Sequence, residues 1–225
     1  MRELQQRLEK VILRLDTMGM RVEQAVVDAI RAIDEVDADF GRQVSRRDEI
    51  IDKEEVEIEQ DCIRLLALYQ PAAIDLRTVC TIIKVNSDLE RIADLAAGMG
   101  RRVKHMVECE IDLSEYPRFS QLVQATVDNV GRTVRMLSVP DSGIARRVIE
   151  LDVQIDRAYK DVVRNVLDNE SQRVGGAESA ITVINFARAL ERIGDLCTNI
   201  AEDIIFLRTG DIVRHQQLPS PEEAQ

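Results

Sequence analysis

Two stretches of this chain repeat each other at a constant offset, and both carry apolar residues at helical spacing. The first runs from Ile82 to Leu95 and the second from Val183 to Leu196, and they share the pattern Leu-Glu-Arg-Ile-x-Asp-Leu. Apolar residues follow both stretches at alternating steps of four and three, which is the spacing of packed helices. These seam positions are Val85, Leu89, Ile92, Ala96, Met99, Val103 and Met106, then Phe186, Leu190, Ile193, Cys197, Ile200, Ile204 and Leu207. The repetition predicts a duplicated helical bundle.

Glycine and proline interrupt the chain at few places, which favours long helices. The predicted helices cover residues 3–36, 38–69, 71–108, 115–138, 142–168 and 177–211. The second helix is predicted to start at a cap from Asp37 or Asp39, the third at Pro71, and the fourth at Ser114 with Pro117 in its first turn. The run 139–142 ends the fourth helix and caps the fifth, and Gly175 with Gly176 precedes the sixth. Short loops make successive helices antiparallel. We therefore expect an all-α fold of two pseudo-symmetric antiparallel three-helix bundles, residues 1–110 and 111–215, followed by a disordered tail at 216–225.

Charge and cysteine usage limit the classes of partner. A net charge of −11 repels phosphate backbones, so nucleic-acid binding is not expected. The four cysteines form no Cys-x-x-Cys pair, which is typical of reduced thiols in a cytosol, and Cys62 and Cys197 fall on seam positions of the core. The first four residues include two charges and start no apolar segment, and no apolar run approaches the roughly 20 residues of a membrane span. We expect a cytoplasmic protein without membrane insertion.

Carboxylates occupy positions where the helical spacing predicts apolar side chains. Asp48, Glu55 and Asp152 fall on such positions, and Asp52 and Asp156 lie one turn away. A second acidic stripe occurs on each repeated helix. On the first it consists of Glu90 and Asp94, and on the second of Glu191, Asp195 and Asn199; within each helix the residues are four apart and share one face. A buried, ionised carboxylate without a partner costs several kcal/mol. We expect these carboxylates to face inward between helices, where a metal ion, an arginine or a wet groove compensates them.

Three interpretations of the acidic residues remain open at this point. Carboxylates from two helices form the kind of oxygen-rich site that binds Mg²⁺, Ca²⁺, Mn²⁺ or iron. They could instead pair with arginines, or line a solvated face; the candidate arginines are Arg77, Arg91, Arg188 and Arg192. His105 and His215 lie away from the acidic stripes and are predicted to be surface residues. A nucleophile beside a base, a glycine-rich phosphate loop and a Glu-x-x-His motif are all missing from the sequence, so no enzyme is predicted.

The ordered set of motifs resembles the PhoU family. Residues 89–94 and 190–202 look like its twin Glu-x-x-x-Asp motifs, and the other matching segments are 18–23, 48–55, 70–77, 152–159 and 210–215. The resemblance covers essentially the whole chain. This sequence departs from the family's pattern at two positions. Gly98 stands where the second motif has Asn199, and Tyr159 stands where the first repeat has Glu55. The two acidic sites therefore need not bind metal equally.

The resemblance implies a negative regulator of phosphate uptake and of the phosphate-starvation two-component response. It implies that the chain forms a homodimer and binds a sensor histidine kinase and the ATPase subunit of the phosphate ABC transporter. It also implies metal ions, among them Mg, Mn, Fe or Zn, at the acidic motifs. The implied ligands are Asp48, Asp52, Glu55, Glu90 and Asp94 in the first half, and Asp152, Asp156, Glu191, Asp195 and Asn199 in the second. The alternatives are a carboxylate-bridged metalloenzyme in a helical bundle and a metal-free scaffold protein.

Overall fold

In the computed structural model of the chain, residues 2–169, 176–211 and 213 are described, and all regular elements within these ranges are helices. They are α1 (Arg2–Asp34), α2 (Ala38–Tyr69), α3 (Ala73–Glu108), α4 (Phe119–Ser138), α5 (Ser142–Asn169) and α6 (Gly176–Thr209), with a 3₁₀ turn at Leu113–Glu115. The prediction of an all-α fold with six long helices is confirmed. The predicted tail at 216–225, together with Gly175 and His215, lies outside the described residues.

Two of the predicted helix starts hold. Asp37 caps α2, because its carboxylate accepts hydrogen bonds from the backbone N–H groups of Asp39 and Phe40, both at 2.9 Å. Asp141 caps α5 in the same way and accepts from the backbone N–H of Ile144 at 2.8 Å. Each bond satisfies a backbone donor that the first turn of a helix leaves unpaired.

Two other predicted starts are wrong. Ser114 and Pro117 do not open α4; the chain forms a short 3₁₀ turn capped by Asp112 and then passes through Arg118, whose φ of 74° is left-handed. Pro71 does not belong to the first turn of α3 either. Helix α2 closes at Gln70 with a φ of 45°, and the chain needs the next residues to reverse direction before α3 begins at Ala73.

The six helices pack as two sets that share one core. Helices α1, α2 and α3, here called the first repeat, contact one another, as do α4, α5 and α6 of the second repeat; α3 also packs on α6, and α1 on α4. The buried apolar side chains of both repeats form one continuous cluster. The predicted seams lie within it, with Leu89, Met99 and Ile193 almost fully buried. The division into separate domains at residue 110 stays a prediction.

No helix in the described part of the chain is both long and apolar enough to span a bilayer.

Two glycines allow α2 and α3 to approach closely near one end of the first repeat. A Cβ added to Gly41 would lie 2.4 Å from the backbone oxygen of Gly100, and a Cβ added to Gly100 would lie 2.5 Å from the oxygen of Gly41. Both contacts involve backbone atoms, which cannot move without shifting a helix. The crossing of α2 over α3 therefore depends on the absence of side chains at both positions.

We expect Gly41→Ala and Gly100→Ala each to lower the free energy of unfolding by about 1–3 kcal/mol, because an added methyl group forces the two backbones apart. The matched control on α3 is Gly98→Ala, whose Cβ meets only the flexible ends of Arg101 and Arg102. That substitution removes the poor helix propensity of glycine and should stabilise the protein by up to about 1 kcal/mol. Urea unfolding measures all three variants, and equal stability across them would contradict the close contact.

Candidate functional site

Three carboxylates of the second repeat meet between α5 and α6. They belong to Asp152, Asp156 and Asp195, here called the acidic trio, and one oxygen from each lies within 4.8 Å of the other two. Asp152 and Asp156 are half-buried and stand one turn apart on α5, whereas Asp195 is exposed on α6. Lys160 lies at the edge, with its Nζ 3.5 Å from Asp156 Oδ2. The trio joins members of two predicted ligand motifs into one site.

A glycine on α6 brings the two helices close enough to enclose Asp152. A Cβ added to Gly194 would lie 2.6 Å from Asp152 Oδ1 and 3.1 Å from the Cδ1 atom of Ile155. Asp152 Oδ1 is itself buried and has no hydrogen-bond partner among the described residues. The hydroxyl of Thr198 lies near enough to favour the ionised carboxylate, although it does not reach good hydrogen-bond geometry. A buried oxygen of this kind favours a bound proton or cation.

The electrostatics of the trio lead to the same conclusion. Burial raises the pKa of Asp152 to about 7, and the negative charges of Asp195 and Asp156 contribute to the rise. Burial also raises the pKa of Glu191 and of Asp195, and the carboxylates beside each group again add to it. The site therefore holds more negative charge than its surroundings stabilise. Three carboxylates with an unsatisfied buried oxygen form a donor set that fits a divalent cation with a preference for oxygen ligands.

The corresponding residues of the first repeat interact, but less closely. Burial raises the pKa of Asp48 to about 7; Asp52 and Asp94 add their charges, and a hydrogen bond to Asp94 favours the protonated Asp48 carboxyl. Burial likewise raises the pKa of Glu55 and of Glu90. Among the residues that the structure describes, these carboxylates do not form a second cluster as tight as the trio.

The methyl group of Ala93 offers a physical reason for this difference between the repeats. Ala93 stands at the position that Gly194 occupies in the second repeat, and it is fully buried. Gly194 brings the backbone of α6 against the carboxylate of Asp152, which a Cβ would prevent. Ala93 carries the Cβ that Gly194 lacks, and this methyl group is the difference between the two repeats at this position.

The ten candidate residues differ in how far they are buried. Asp52, Asp94, Asp195 and Asn199 are exposed, because each stands on the rim of its helix pair and not on its buried seam. Glu55, Glu90 and Glu191 are half-buried and affect the acidic groups through their charge. Asn199 does not join the trio. The structure thus brings together the second-repeat aspartates most closely and leaves the glutamates and Asn199 around them.

The interpretation of the acids as an arginine salt-bridge network does not fit the described side chains. Of the ten candidates, only Asp156 makes an ion pair within the described ranges, and its partner is Lys160. Arg91, which the sequence offered as a partner for the acidic motif, lies 3.7 Å from Asp88 instead.

A cleft between α3 and α6, which the sequence did not predict, lies beside both acidic groups. Its volume is about 570 Å³, and its charged and polar lining consists of Arg91, Asp94, Arg101, Arg102, Arg192, Asp195 and Asn199. Arg101 and Arg102 follow Asp94 by seven and eight residues, a spacing that places them on the same side of the helix. That spacing was the signal in the sequence that could have identified them. The four guanidinium groups offset part of the carboxylate charge in this region.

The cysteines behave largely as the sequence predicts. Cys62 and Cys197 are fully buried, and burial raises the pKa of each thiol to about 12. Such thiols remain protonated at neutral pH and serve as small core residues. Cys80 and Cys109 are only half-buried.

The raised pKa of Asp152 predicts how stability depends on pH in the metal-free protein. Between about pH 4 and pH 7 the folded state keeps a proton on Asp152 that the unfolded chain, with an ordinary value of 3.8, has released. The folded state binds more protons in this window, so the free energy of unfolding falls as the pH rises and levels off above about pH 7. Asp152→Asn should reduce this slope.

Urea unfolding in the presence of a chelator, repeated across this pH range, measures the effect. Asp48→Asn should reduce the slope in a similar way, since the pKa of Asp48 is also raised to about 7. Asp161→Asn is the control, because Asp161 is an exposed acid on the same helix as Asp152. An unchanged slope in Asp152→Asn, or an equal reduction in the control, would contradict the assignment.

Comparison with known proteins agrees with the fold and with the duplicated motifs. The family model described as the PhoU domain matches residues 15–103 and again 119–204. A phosphate-specific transport system accessory protein PhoU homolog from Pseudomonas putida is 38% identical over 94% of this chain and 82% of its own length. The corresponding PhoU protein of Escherichia coli K12 is 32% identical over 92% of this chain and 86% of its own length.

Solved structures show the same architecture. The crystal structure of PhoU from Pseudomonas aeruginosa has a TM-score of 0.86 and 33% sequence identity, and it covers 92% of this chain and 99% of that chain. The phosphate transport system regulatory protein PhoU from Streptococcus pneumoniae also has a TM-score of 0.86, at 24% identity, and agrees in fold over 93% of this chain and 99% of that chain. With two copies of the family's domain and these relatives along most of its length, the chain belongs to the PhoU family.

Proposed function

We propose that this chain is a cytoplasmic accessory protein of a phosphate transport system that negatively regulates phosphate uptake and the phosphate-starvation response. It connects the ATPase subunit of the phosphate ABC transporter to a sensor histidine kinase and restrains both. The observation that carries the proposal is the match of both repeats to the PhoU domain, together with relatives named as phosphate-specific transport system accessory proteins.

The acidic trio is the proposed metal site of the regulator. Asp152, Asp156 and Asp195 supply the oxygen ligands, and Asp48, Asp52 and Asp94 provide a second, weaker site in the first repeat. A Mg, Mn, Fe or Zn ion held by these residues would supply the positive charge that neutralises the carboxylates. The protein contributes the fixed distance between α5 and α6, which Gly194 sets by allowing close approach.

A regulator is favoured over a metalloenzyme by the composition of the trio. Catalysis at a metal requires an open coordination position with a general acid or base beside it. All three carboxylates of the trio are proposed as metal ligands, and the other group at its edge is Lys160, an exposed side chain already paired with Asp156. A metal-free scaffold is the remaining alternative, and the metal titration below distinguishes it.

An apolar stripe on α1 supports the proposed homodimer. Leu13, Met20 and Val27 are exposed and follow one another at intervals of seven residues, so they share one side of the helix. Asp16, Thr17, Glu23 and Gln24 occupy the turns between them, so the three apolar side chains are separate contact points on one side of the helix. A second copy of the chain offers the same stripe, and two such stripes can pack against each other.

Metal binding at the trio should appear as linked stability. Mn²⁺ at about 100 times its Kd should raise the free energy of unfolding of the chelator-treated protein by about 2.7 kcal/mol. The gain should be lost in Asp152→Asn/Asp195→Asn, since two of the three ligands are removed, and should largely remain in the matched variant Asp48→Asn/Asp94→Asn. Thermal and urea unfolding with and without Mn²⁺ provide the measurement. No gain in the wild type would favour the metal-free scaffold.

Regulation in cells tests the proposed function directly. In a strain that lacks this protein, a reporter of the phosphate-starvation response should be active even in abundant phosphate, and the wild-type chain should repress it. Asp152→Asn/Asp195→Asn should repress less if metal occupancy is required. The control is Glu150→Gln/Asp161→Asn, which removes two charges from exposed positions of α5. Full repression in the strain without the chain would rule the regulatory role out, whatever metal binds.

A further inference from the structure

A group of mixed ligand type lies where the last turn of α3 reaches the first turn of α6. It consists of His105, Cys109 and Glu178, which each place one ligand atom within 4.8 Å of the other two. His105 and Cys109 are half-buried, and Glu178 is exposed. None of these residues belongs to the acidic trio or to the candidates of the first repeat. Cys109 follows His105 by one helical turn, whereas Glu178 comes near them only through the packing of α3 on α6.

The distances within this group match the edges of a tetrahedral zinc site. His105 Nε2 lies 3.4 Å from Glu178 Oε1 and 3.6 Å from Cys109 Sγ. Tetrahedral zinc has bonds of about 2.0–2.1 Å to nitrogen and oxygen and about 2.3 Å to sulfur, so its nitrogen and oxygen ligands lie about 3.4 Å apart and its nitrogen and sulfur ligands about 3.6 Å apart. Two of the three distances therefore have the length that a shared ion requires. Cys109 Sγ also lies 3.9 Å from Nδ1, so the imidazole must turn for the lone pair of Nε2 to face an ion shared with the sulfur.

A fourth residue fits the role of an outer partner. Glu108 Oε2 lies 3.9 Å from His105 Nδ1, the ring nitrogen that faces away from the proposed ion. Histidines that bind metal through one nitrogen usually donate the other N–H to a carboxylate, which fixes the tautomer and the orientation of the ring. Glu108 and Glu178 therefore lie near opposite nitrogens of the same imidazole, and a shortening of the Glu108 distance by about 1 Å would give the hydrogen bond of an outer partner.

We propose that His105 Nε2, Cys109 Sγ and Glu178 Oε1 bind a Zn²⁺ ion, with solvent in the fourth position. Nitrogen and sulfur ligands select a softer ion than the carboxylates of the acidic trio do. Binding releases the thiol proton to solvent, and the thiolate becomes the ligand. Because α3 belongs to the first repeat and α6 to the second, the ion links the two repeats at one end of their contact. This site is independent of the proposed regulatory function.

Cobalt substitution tests the site through the thiolate itself. The chelator-treated, reduced full chain is titrated with Co²⁺, which should produce a near-ultraviolet thiolate-to-cobalt absorption and the visible bands of a tetrahedral ion. Zn²⁺ should then displace the Co²⁺. Glu108→Gln should weaken Zn²⁺ binding by roughly 10–100-fold, as expected for an outer partner. Cys109→Ser and His105→Gln should weaken it further, and Cys109→Ser should abolish the thiolate absorption.

Two controls separate this site from other metal binding. Cys80→Ser removes another half-buried thiol from the same helix and should leave the absorption unchanged. Asp152→Asn/Asp195→Asn should also leave it unchanged, since the trio supplies no sulfur. Zn²⁺ should protect Cys109, but not Cys80, from alkylation, which peptide mass spectrometry detects. Absence of the absorption in the wild type, or its persistence in folded Cys109→Ser, would overturn the proposal; a melting curve establishes that each variant is folded.

Discussion

Helices α3 and α6 pack against each other in antiparallel orientation while each also belongs to the core of its own repeat. Polar side chains of the two helices meet at both ends of this contact. At one end Lys84 Nζ reaches Asp203 Oδ1 at 3.1 Å, and Asp203 is almost completely buried. At the other end His105 meets Glu178. Breaking a buried ion pair is destabilising, so the Lys84–Asp203 pair contributes to the contact between the two repeats at this end.

The helical content and the seams could be predicted from the sequence because they depend on local spacing. The predicted second helix has the bounds of α2, Ala38–Tyr69, since Asp37 caps its start. The start of α4 could not be predicted in this way. Ser114 was the expected cap, and the left-handed backbone of Arg118, which separates the 3₁₀ turn from α4, leaves no mark in the spacing of apolar residues.

The acidic residues were recognisable as a group, but their grouping in space was not. The seam correctly marked Asp48 and Asp152 as carboxylates under partial burial, and both have a raised pKa of about 7. Which residues form the tightest cluster depends on the distance between neighbouring helices, and a single Cβ changes that distance. Gly194 and Ala93 occupy equivalent positions in a repeated motif, and the sequence alone gives no measure of what their difference does to the surrounding carboxylates.

Neighbouring carboxylates repel one another in both repeats, but different bound species reduce the repulsion in each. In the first repeat a proton relieves part of the repulsion, because a protonated Asp48 can donate a hydrogen bond to Asp94. In the second repeat a proton neutralises one carboxylate of the trio and leaves the other two close together. A divalent cation neutralises more of this charge and also supplies a partner for the buried Asp152 oxygen. Under the proposed metal binding, the second repeat therefore gains more from a cation than the first repeat does.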